Sequence, residues 1–476
     1  MSGAKKVESF ERVCYDHSHQ WFLKDDVDCS KLEGVSVGKI FQLWTFEKFF
    51  EASQVNADRL DVRSLLKRLS LEWTVRSLAS IFSRNSDAEK TEYLLVYDVN
   101  NDPMINALNA IGEELRGRGV SISAVTVDRN ISRKCSIPRQ VSWFSFFSLT
   151  NFFVGIERYI KFYFGQVTNL KSCAFSLQQQ FGKKKASSVR RYMTFQSLQL
   201  SFEIQAIRSL LMAKKPKVVI LASDAHRVSR TFVFLCKLLR VKTVVYQHGA
   251  TIWEYGYVPV FADRMLVWGN ASRRWFQQRG VSVDKLVEVG NLQADMRPIP
   301  MLTPTVFQRN KKIFFFPNPI DRDITRDVLD VFIELCSRFS MEGVVKLHPS
   351  ERNIDFFESH ISSARNNVSV IQVSMAEAGV LPGDIAVVVN STAGIDCCIY
   401  GAYIFNIEIS SMPNPVDYER GGVGVRASLD SYMDKFDHLL ELPVEDYICA
   451  RDAFLRDYFG PLDGMALERI VGEILS

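Results

Sequence analysis

Three stretches in the second half of the chain put side chains that can move protons or hold phosphate straight after apolar runs. They are Val244-Val245-Tyr246-Gln247-His248-Gly249, Val344-Val345-Lys346-Leu347-His348-Pro349-Ser350 and Val387-Val388-Val389-Asn390-Ser391-Thr392-Ala393-Gly394-Ile395-Asp396. Open parallel sheets bind ligands at the carboxyl ends of their strands. Three such ends carrying His, Lys, Ser, Thr and backbone amides predict one phosphate-binding cleft.

In the first stretch Gly249 lets the backbone come close to a ligand. His248 then faces the cleft as a general base, with an imidazole pKa near ~6.5, or as a donor to phosphate. In the second, alternation along a strand puts Lys346 and His348 on one side. Pro349 ends the strand, and Ser350 is placed to cap the segment that begins Glu351-Arg352. A cation and a His at a strand end suit a monophosphate or diphosphate group. In the third, a helix that starts at the strand end aims free amides at an anion, and the hydroxyls of Ser391 and Thr392 add donors to the same oxygens. Asp396, one turn in, either steadies the helix dipole or holds a sugar hydroxyl. Each motif also has a plain explanation, as a strand-end His or an ordinary cap.

Further strand ends carry Trp268-Gly269-Asn270, Gly290-Asn291-Leu292 and Phe316-Pro317-Asn318-Pro319. Gly290 can bring a loop against the nucleotide base or ribose. Asp98, Asp102, Asp224 and His226 also follow apolar runs; any of them can be a base facing an acceptor, and turn formation accounts for them as well. No GxGxxG stands at a strand-to-helix turn, no GxxxxGK[ST] loop occurs and no GxSxG elbow occurs. A dehydrogenase, a P-loop enzyme and an esterase-type hydrolase are excluded on those grounds.

The elements that position these residues read as two α/β blocks. A βαβ unit begins with Tyr93 to Asp98, a helix from Met104 to Arg116 and a strand from Val120 to Val127. The sheet resumes at Lys217 to Asp224 and Val241 to Tyr246. Later strands are expected at Arg264 to Val267, Leu286 to Val289, Lys312 to Phe316, Gly343 to Leu347, Val368 to Val373, Ile385 to Val389 and Tyr403 to Ile407. Short apolar runs alternating with helices predict parallel sheets. The expected organisation is an accessory segment over 1–88, a first Rossmann-like domain over 89–261 with an aromatic and helical insertion at 128–211, a second Rossmann-like domain over 262–430, and terminal helices over 431–476.

A chain of 476 residues is too long for one ordinary core. Its net charge of +4 argues against a dedicated nucleic-acid binder. Nine cysteines are scattered with no CxxC pair, which predicts buried thiols in a reducing compartment. The seven histidines are dispersed, so no metal or cofactor is expected. The amino terminus lacks the apolar core of a secretory signal. Val141 to Ile156 is the most apolar stretch, but its Ser, Thr and Asn residues make it a buried or interfacial helix rather than a membrane span. With Lys183-Lys184-Lys185 nearby, residues 143–165 offer peripheral contact with a membrane; burial in the insertion's own core is the alternative.

Gln247-His248-Gly249, Trp268-Gly269, Gly290-Asn291, Lys346-Leu347-His348-Pro349 and Ser391-Thr392-Ala393-Gly394-Ile395-Asp396, in that order over about 217–410, resemble bacterial surface-polysaccharide transferases of the GT-B fold. These include capsule Kdo transferases, bacterial sialyltransferases and CDP-glycerol glycerophosphotransferases. The resemblance implies two Rossmann-like domains facing a cleft, with the donor nucleotide on the second. It implies that His348, Ser391 and Thr392 hold the donor phosphate, and that the first domain binds the acceptor and supplies a base.

The chain therefore reads as a glycosyltransferase with a nucleotide-sugar donor and a glycan or lipid-linked acceptor, working in the cytoplasm or at the inner face of the cell membrane. The favoured donor is CMP-linked, such as CMP-Kdo or a CMP-sialic acid, for capsule or lipopolysaccharide. The expected catalytic groups are His248, Asp98, Asp224 and His348. The expected donor-binding groups are Lys346, His348, Ser391, Thr392, Asp396, Gly249, Gly290 and Asn291. The alternatives are a CDP-glycerol, UDP-sugar or GDP-sugar transferase, a sugar-nucleotide epimerase, and a non-catalytic assembly partner that docks on membrane or protein.

Overall fold

In the computed structural model the described residues are 89–476, less 147, 163, 165–182, 252–253, 255, 298, 308–311, 318–321, 349–350, 352, 363–366 and 411–413; of 144 and 183–195 only the backbone is described. From the accessory segment only Lys39 and four two-residue strands between Leu23 and Ser36 are described, and the rest of that expectation lies outside the described residues.

Two parallel sheets organise the chain. The first has seven strands: β1 (Tyr93–Tyr97), β2 (Ile122–Thr126), β3 (Gln140–Val141), β4 (Val218–Leu221), β5 (Lys242–Tyr246), β6 (Arg264–Val267) and β7 (Leu286–Glu288), in the order β7-β6-β5-β4-β1-β2-β3. The second has six: β8 (Lys312–Phe316), β9 (Glu342–Lys346), β10 (Val368–Ile371), β11 (Ile385–Val389), β12 (Tyr403–Ile407) and β13 (Gly424–Ala427), in the order β10-β9-β8-β11-β12-β13. Both follow the doubly wound pattern, in which the winding reverses beside the first strand of each sheet. The central strands β1, β2, β11 and β12 are buried along their whole length. That is why they read as unbroken apolar runs rather than as alternating ones.

The helices that matter for the site are α1 (Asp102–Gly117), α2 (149–162), α3 (Lys183–Lys214), α4 (Arg227–Leu239), α5 (Asn270–Gln278), α6 (Leu292–Asp295), α7 (Arg322–Arg338), α8 (Ala393–Ile399), α9 (Val444–Phe459) and α10 (Ala466–Leu475). Asn101 caps α1 by accepting from the amide of Met104 at 3.2 Å, with Pro103 in the first turn. Buried Met104, Leu108, Ile111 and Leu115 then lie on one face, the 3–4 residue spacing that faces a helix onto a sheet.

Two boundaries differ from expectation. The strands at 264–267 and 286–288 belong to the first sheet, because β6 pairs in parallel with β5 and β7 with β6. The second sheet therefore starts at β8, not at residue 262. Nor do the terminal helices stand apart as a 431–476 unit. α10 packs on α1, and its Ile470, Val471 and Ile474 join the core of the first sheet. The chain thus crosses back from the second lobe to the first after α9. β13 was not expected; its sequence, Gly-Val-Arg-Ala, is too short and mixed to announce a strand.

Candidate functional site

The first lobe's winding reverses between β1 and β4, and Asp98 and the Asp224–His226 turn sit at those two ends. Asp98 is buried, with 2% of its side chain exposed, and its Oδ2 lies 4.0 Å from His226 Nδ1. Ser229, in the first turn of α4, donates its hydroxyl to the same oxygen at 2.6 Å. The His226 side chain is 36% exposed, while its Nδ1 is buried without a hydrogen-bond partner. A carboxylate therefore stands behind one ring nitrogen, and part of the ring is open to solvent.

His248 follows β5, the next strand along. Its ring stacks on Tyr257, with centroids 4.7 Å apart and planes 4° apart. Its Nδ1 is buried and unpaired. Burial pushes the imidazole down to about 4, with nearby His226 adding to the effect and the Ala222 backbone opposing it. An imidazole held this low stays neutral near pH 7 and is a weak base.

This shift has a consequence for stability. The unfolded chain protonates His248 near ~6.5, the folded chain only near about 4. The unfolded state binds more protons in that window, so stability falls as pH drops from about 6.5 to about 4. One pKa unit is 1.36 kcal/mol, which caps the loss at about 3 kcal/mol, and the half-buried position of the residue keeps it below that cap. Denaturant titrations across this range should show a shallower slope for His248→Gln than for the parent. An identical slope would mean that His248 protonates freely in the folded protein.

The other first-lobe candidates build the scaffold. Asp224 Oδ2 accepts from the amides of Phe261 at 2.6 Å and Ala262 at 3.1 Å. Its carboxylate is buried and turned to that loop, and burial raises its pKa. Asp224 is thus taken away from the base role expected of it. Gln247 donates to the Gly249 carbonyl at 2.8 Å and to Ser272 at 3.0 Å, and accepts from the Trp268 amide at 3.0 Å. A Cβ on Gly249 would meet Tyr257 Oη at 2.8 Å, so its close neighbour is Tyr257.

Gly290 and Asn291 likewise serve the fold, against the expectation that they contact the donor. The Asn291 side chain caps α6, accepting from Gln293 and Ala294 at 3.0 Å each, and its amide donates to Phe459 at 2.7 Å. Gly290 has φ +99, and a Cβ there would meet Ala466 at 3.1 Å. Both pack under the returning chain, where a nucleotide would have needed space.

In the second lobe the winding reverses between β8 and β11. Ser391 follows β11; its hydroxyl accepts from the Ala393 amide at 3.2 Å, and its carbonyl accepts from Tyr418 at 2.6 Å. Thr392 stands at the cap position of α8, and its side chain makes no cap bond. Its hydroxyl is left to the pocket it lines. Lys346 is buried at the end of β9, where burial lowers its pKa while Cys397 and Asp396 pull it back up. Asp396 pairs with Arg297 at 3.4 Å, and its side chain is 44% exposed. Crowding by protein raises its carboxyl, Arg297 and then Lys346 oppose the rise, and contact with solvent screens all of these effects.

His348 is exposed just past β9, and its carbonyl accepts from the Glu351 amide at 2.9 Å and from Gln372 at 3.0 Å. Pro349 and Ser350 lie outside the described residues. β9 and β11 flank β8 on opposite sides. Adjacent strands are ~4.8 Å apart, so His348 and Ser391 are separated by roughly 10 Å. One phosphate is too small to touch both; a longer nucleotide group spans them.

A cavity of about 150 Å³ joins the lobes. Ala250 and Thr251, just past His248, form one wall with Trp275 of α5, while Thr392, Ile395 and Tyr458 form the facing wall. The cavity thus brings the loop just past His248 to Thr392; of the expected site residues Thr392 lines it, while His248, Ser391, His348 and Lys346 do not. The sequence does not distinguish His226 from the other strand-end residues; its place beside Asp98 is seen only in the fold. Among the described residues no three His, Cys, Asp or Glu cluster to hold a metal. No described helix is long and apolar enough to cross a membrane.

No protein-family model and no curated protein sequence matches the chain. Solved structures share its fold. A Listeria monocytogenes protein assigned as a UDP-N-acetylglucosamine 2-epimerase superposes with a TM-score of 0.50 at 11% identity, over 81% of this chain and 96% of its own. The Neisseria meningitidis UDP-GlcNAc 2-epimerase bound to UDP-GlcNAc gives 0.49 at 13%, over 81% and 99%. Acinetobacter baumannii MurG gives 0.45 at 8%, over 81% and 99%. At such identities the likeness concerns fold alone, and the Listeria superposition agrees with two Rossmann-like lobes in a GT-B arrangement.

Proposed function

We propose that the chain is an enzyme of nucleotide-activated sugars that passes the sugar to a glycan hydroxyl. The nucleotide occupies the second lobe and the acceptor the first. The observation that carries this reading is that both winding reversals bear polar side chains suited to the two halves of the reaction, with a cavity joining the lobes. Asp98 and His226 sit at the reversal of the first sheet, and Thr392, which lines the cavity, sits at the reversal of the second.

In this scheme His226 is the base in place of His248. Asp98 draws Nδ1 inward and fixes the ring, and the free nitrogen takes the acceptor's proton as its oxygen attacks the anomeric carbon. A separation of 4.0 Å is loose for a hydrogen bond, as catalytic contacts often are before substrate arrives. The bond from the sugar to the phosphate oxygen breaks, and that oxygen keeps the electron pair. The hydroxyl of Thr392 meets the charge that develops, and Lys346 with the His348 side chain holds the more distant part of the nucleotide. Such a donor and a polysaccharide product suit an enzyme of the cytoplasm.

CMP-linked Kdo or sialic acid is the donor favoured by the motifs, for capsule or lipopolysaccharide. The names of the structural neighbours favour a UDP-sugar and a second reading, epimerisation, which Asp98 and His226 also suit because it needs a proton moved at a sugar carbon. A thermal-shift screen with CMP, CDP, UDP and GDP, followed by a panel of the matching sugar nucleotides, separates these. The expected result is stabilisation by one nucleotide, and release of that nucleotide only when a glycan acceptor is added. Sugar-nucleotide conversion without acceptor would make the chain an epimerase. No stabilisation and no turnover with any donor would overturn both readings and leave an assembly partner.

A further inference from the structure

The insertion carries an exposed apolar stripe. Leu149, Phe153, Ile160 and Phe164 are 56%, 61%, 46% and 72% exposed. At 3.6 residues per turn these four positions fall within an arc of about 60°. The opposite side of α2 is anchored. Phe152 stacks on Phe202 of α3 with centroids 5.3 Å apart and planes 7° apart. Asn151 donates to the Phe146 carbonyl at 2.9 Å and to Ser209 at 3.0 Å. A Cβ on Gly155 would meet the Phe202 ring at 2.6 Å, so the helix lies close on α3. The core has therefore claimed one face of α2, and the stripe lies on another.

Charge points to what covers it. Residues 128–211 carry 13 Lys and Arg against 3 Asp and Glu, a net of +10 in a chain whose total is +4. The remainder of the protein is thus acidic, and the excess of cations is confined to the part that bears the stripe. On α2 itself Lys161 stands about 60° beyond the arc, paired with Glu157 at 2.5 Å, and Arg158 lies across the helix from the stripe. An apolar face on so basic a segment fits the boundary between headgroups and acyl chains of an anionic bilayer.

We propose that this face of the insertion docks on an anionic membrane surface, with Leu149, Phe153, Ile160 and Phe164 entering the headgroup region. It brings the first lobe, which takes the acceptor in the proposed scheme, to a lipid-linked acceptor. The docking itself does not depend on that scheme.

The test is flotation of the purified full chain with vesicles of phosphatidylcholine alone or mixed with phosphatidylglycerol. The protein should float with the mixed vesicles and not with the neutral ones. It should be released when salt rises from about 0.1 to about 1 M, because the Debye length shrinks from ~10 to ~3 Å. Phe153→Ser combined with Phe164→Ser should reduce bound protein by roughly tenfold or more without lowering the melting temperature. Leu149→Ser with Ile160→Ser should do the same, should the first pair misfold. Failure to float with anionic vesicles, or parent-like flotation of a folded stripe variant, overturns the proposal. So does a dimer that the stripe variants convert to monomer, since a second copy would then cover the face. Flotation needs no turnover, so its failure and the failure of the transferase scheme are separate results.

Discussion

Alanine at His226 is expected to lower kcat by about 10²- to 10⁴-fold, the range general-base groups contribute. The nucleotide should still stabilise the variant, since no donor contact is assigned to His226. Asp98→Asn should act through the same ring. It keeps a group that can accept from Ser229, whose hydroxyl lies 2.6 Å from Asp98 Oδ2, but it removes the charge that steadies an imidazolium. Residues that act as a unit are not additive. The double variant should therefore be about as slow as His226→Ala alone. His248→Gln, which alters a ring already neutral and buried against Tyr257, should retain far more activity. Near-normal kcat in His226→Ala, with a collapse in the His248 variant, would return the base role to His248.

Valine at Gly460 is expected to destabilise the protein by about 3 kcal/mol or more. Gly460 has φ 80 and ψ −168, a region only glycine enters freely. A Cβ there would collide with the Trp268 carbonyl and lie 2.9 Å from Gly290 Cα. The site is the crossing point at which the chain leaves α9 and returns to the first lobe. Beyond it, Asp295 accepts from the amides of Gly464 at 2.8 Å and Ala466 at 2.7 Å, capping α10. Arg469 donates to the Val289 carbonyl at 2.9 Å. Valine cannot pass between Trp268 and Gly290, so the segment must lift and take α10 off α1. Thermal melting and hydrogen exchange would report it, the latter as lost protection over 466–475. A melting temperature equal to the parent's would show that the crossing yields at little cost.

Several parts of this architecture were readable from local pattern. The runs at 93–97, 312–316, 385–389 and 403–407 are strands within a residue of where their apolar composition placed them. Strands buried on both faces need only be apolar, and that is a property of neighbours in the chain. The pairing of small hydroxyl residues with the end of β11 was equally legible. The differences have one source. Asp224, Gly290 and Asn291 follow strands, as ligand-binding residues do, yet each is used by backbone from another segment: Phe261 and Ala262 in one case, Phe459 to Ala466 in the others. Nothing near Gly290 in the chain announces that residue 466 will lie on it.

The amino-acid order by itself thus determined the parallel sheets, the two-lobed class and the hydroxyl-bearing turn after β11, because each depends on periodicity or on residue type over a few positions. The tertiary structure alone decided which strand-end groups come together. Asp98 and His226 are 128 positions apart, and they meet only because β4 pairs with β1 while the winding reverses between them. Whether a polar side chain meets ligand, solvent or backbone is settled by what packs above it. In this fold the covering segment arrives from the far end of the chain.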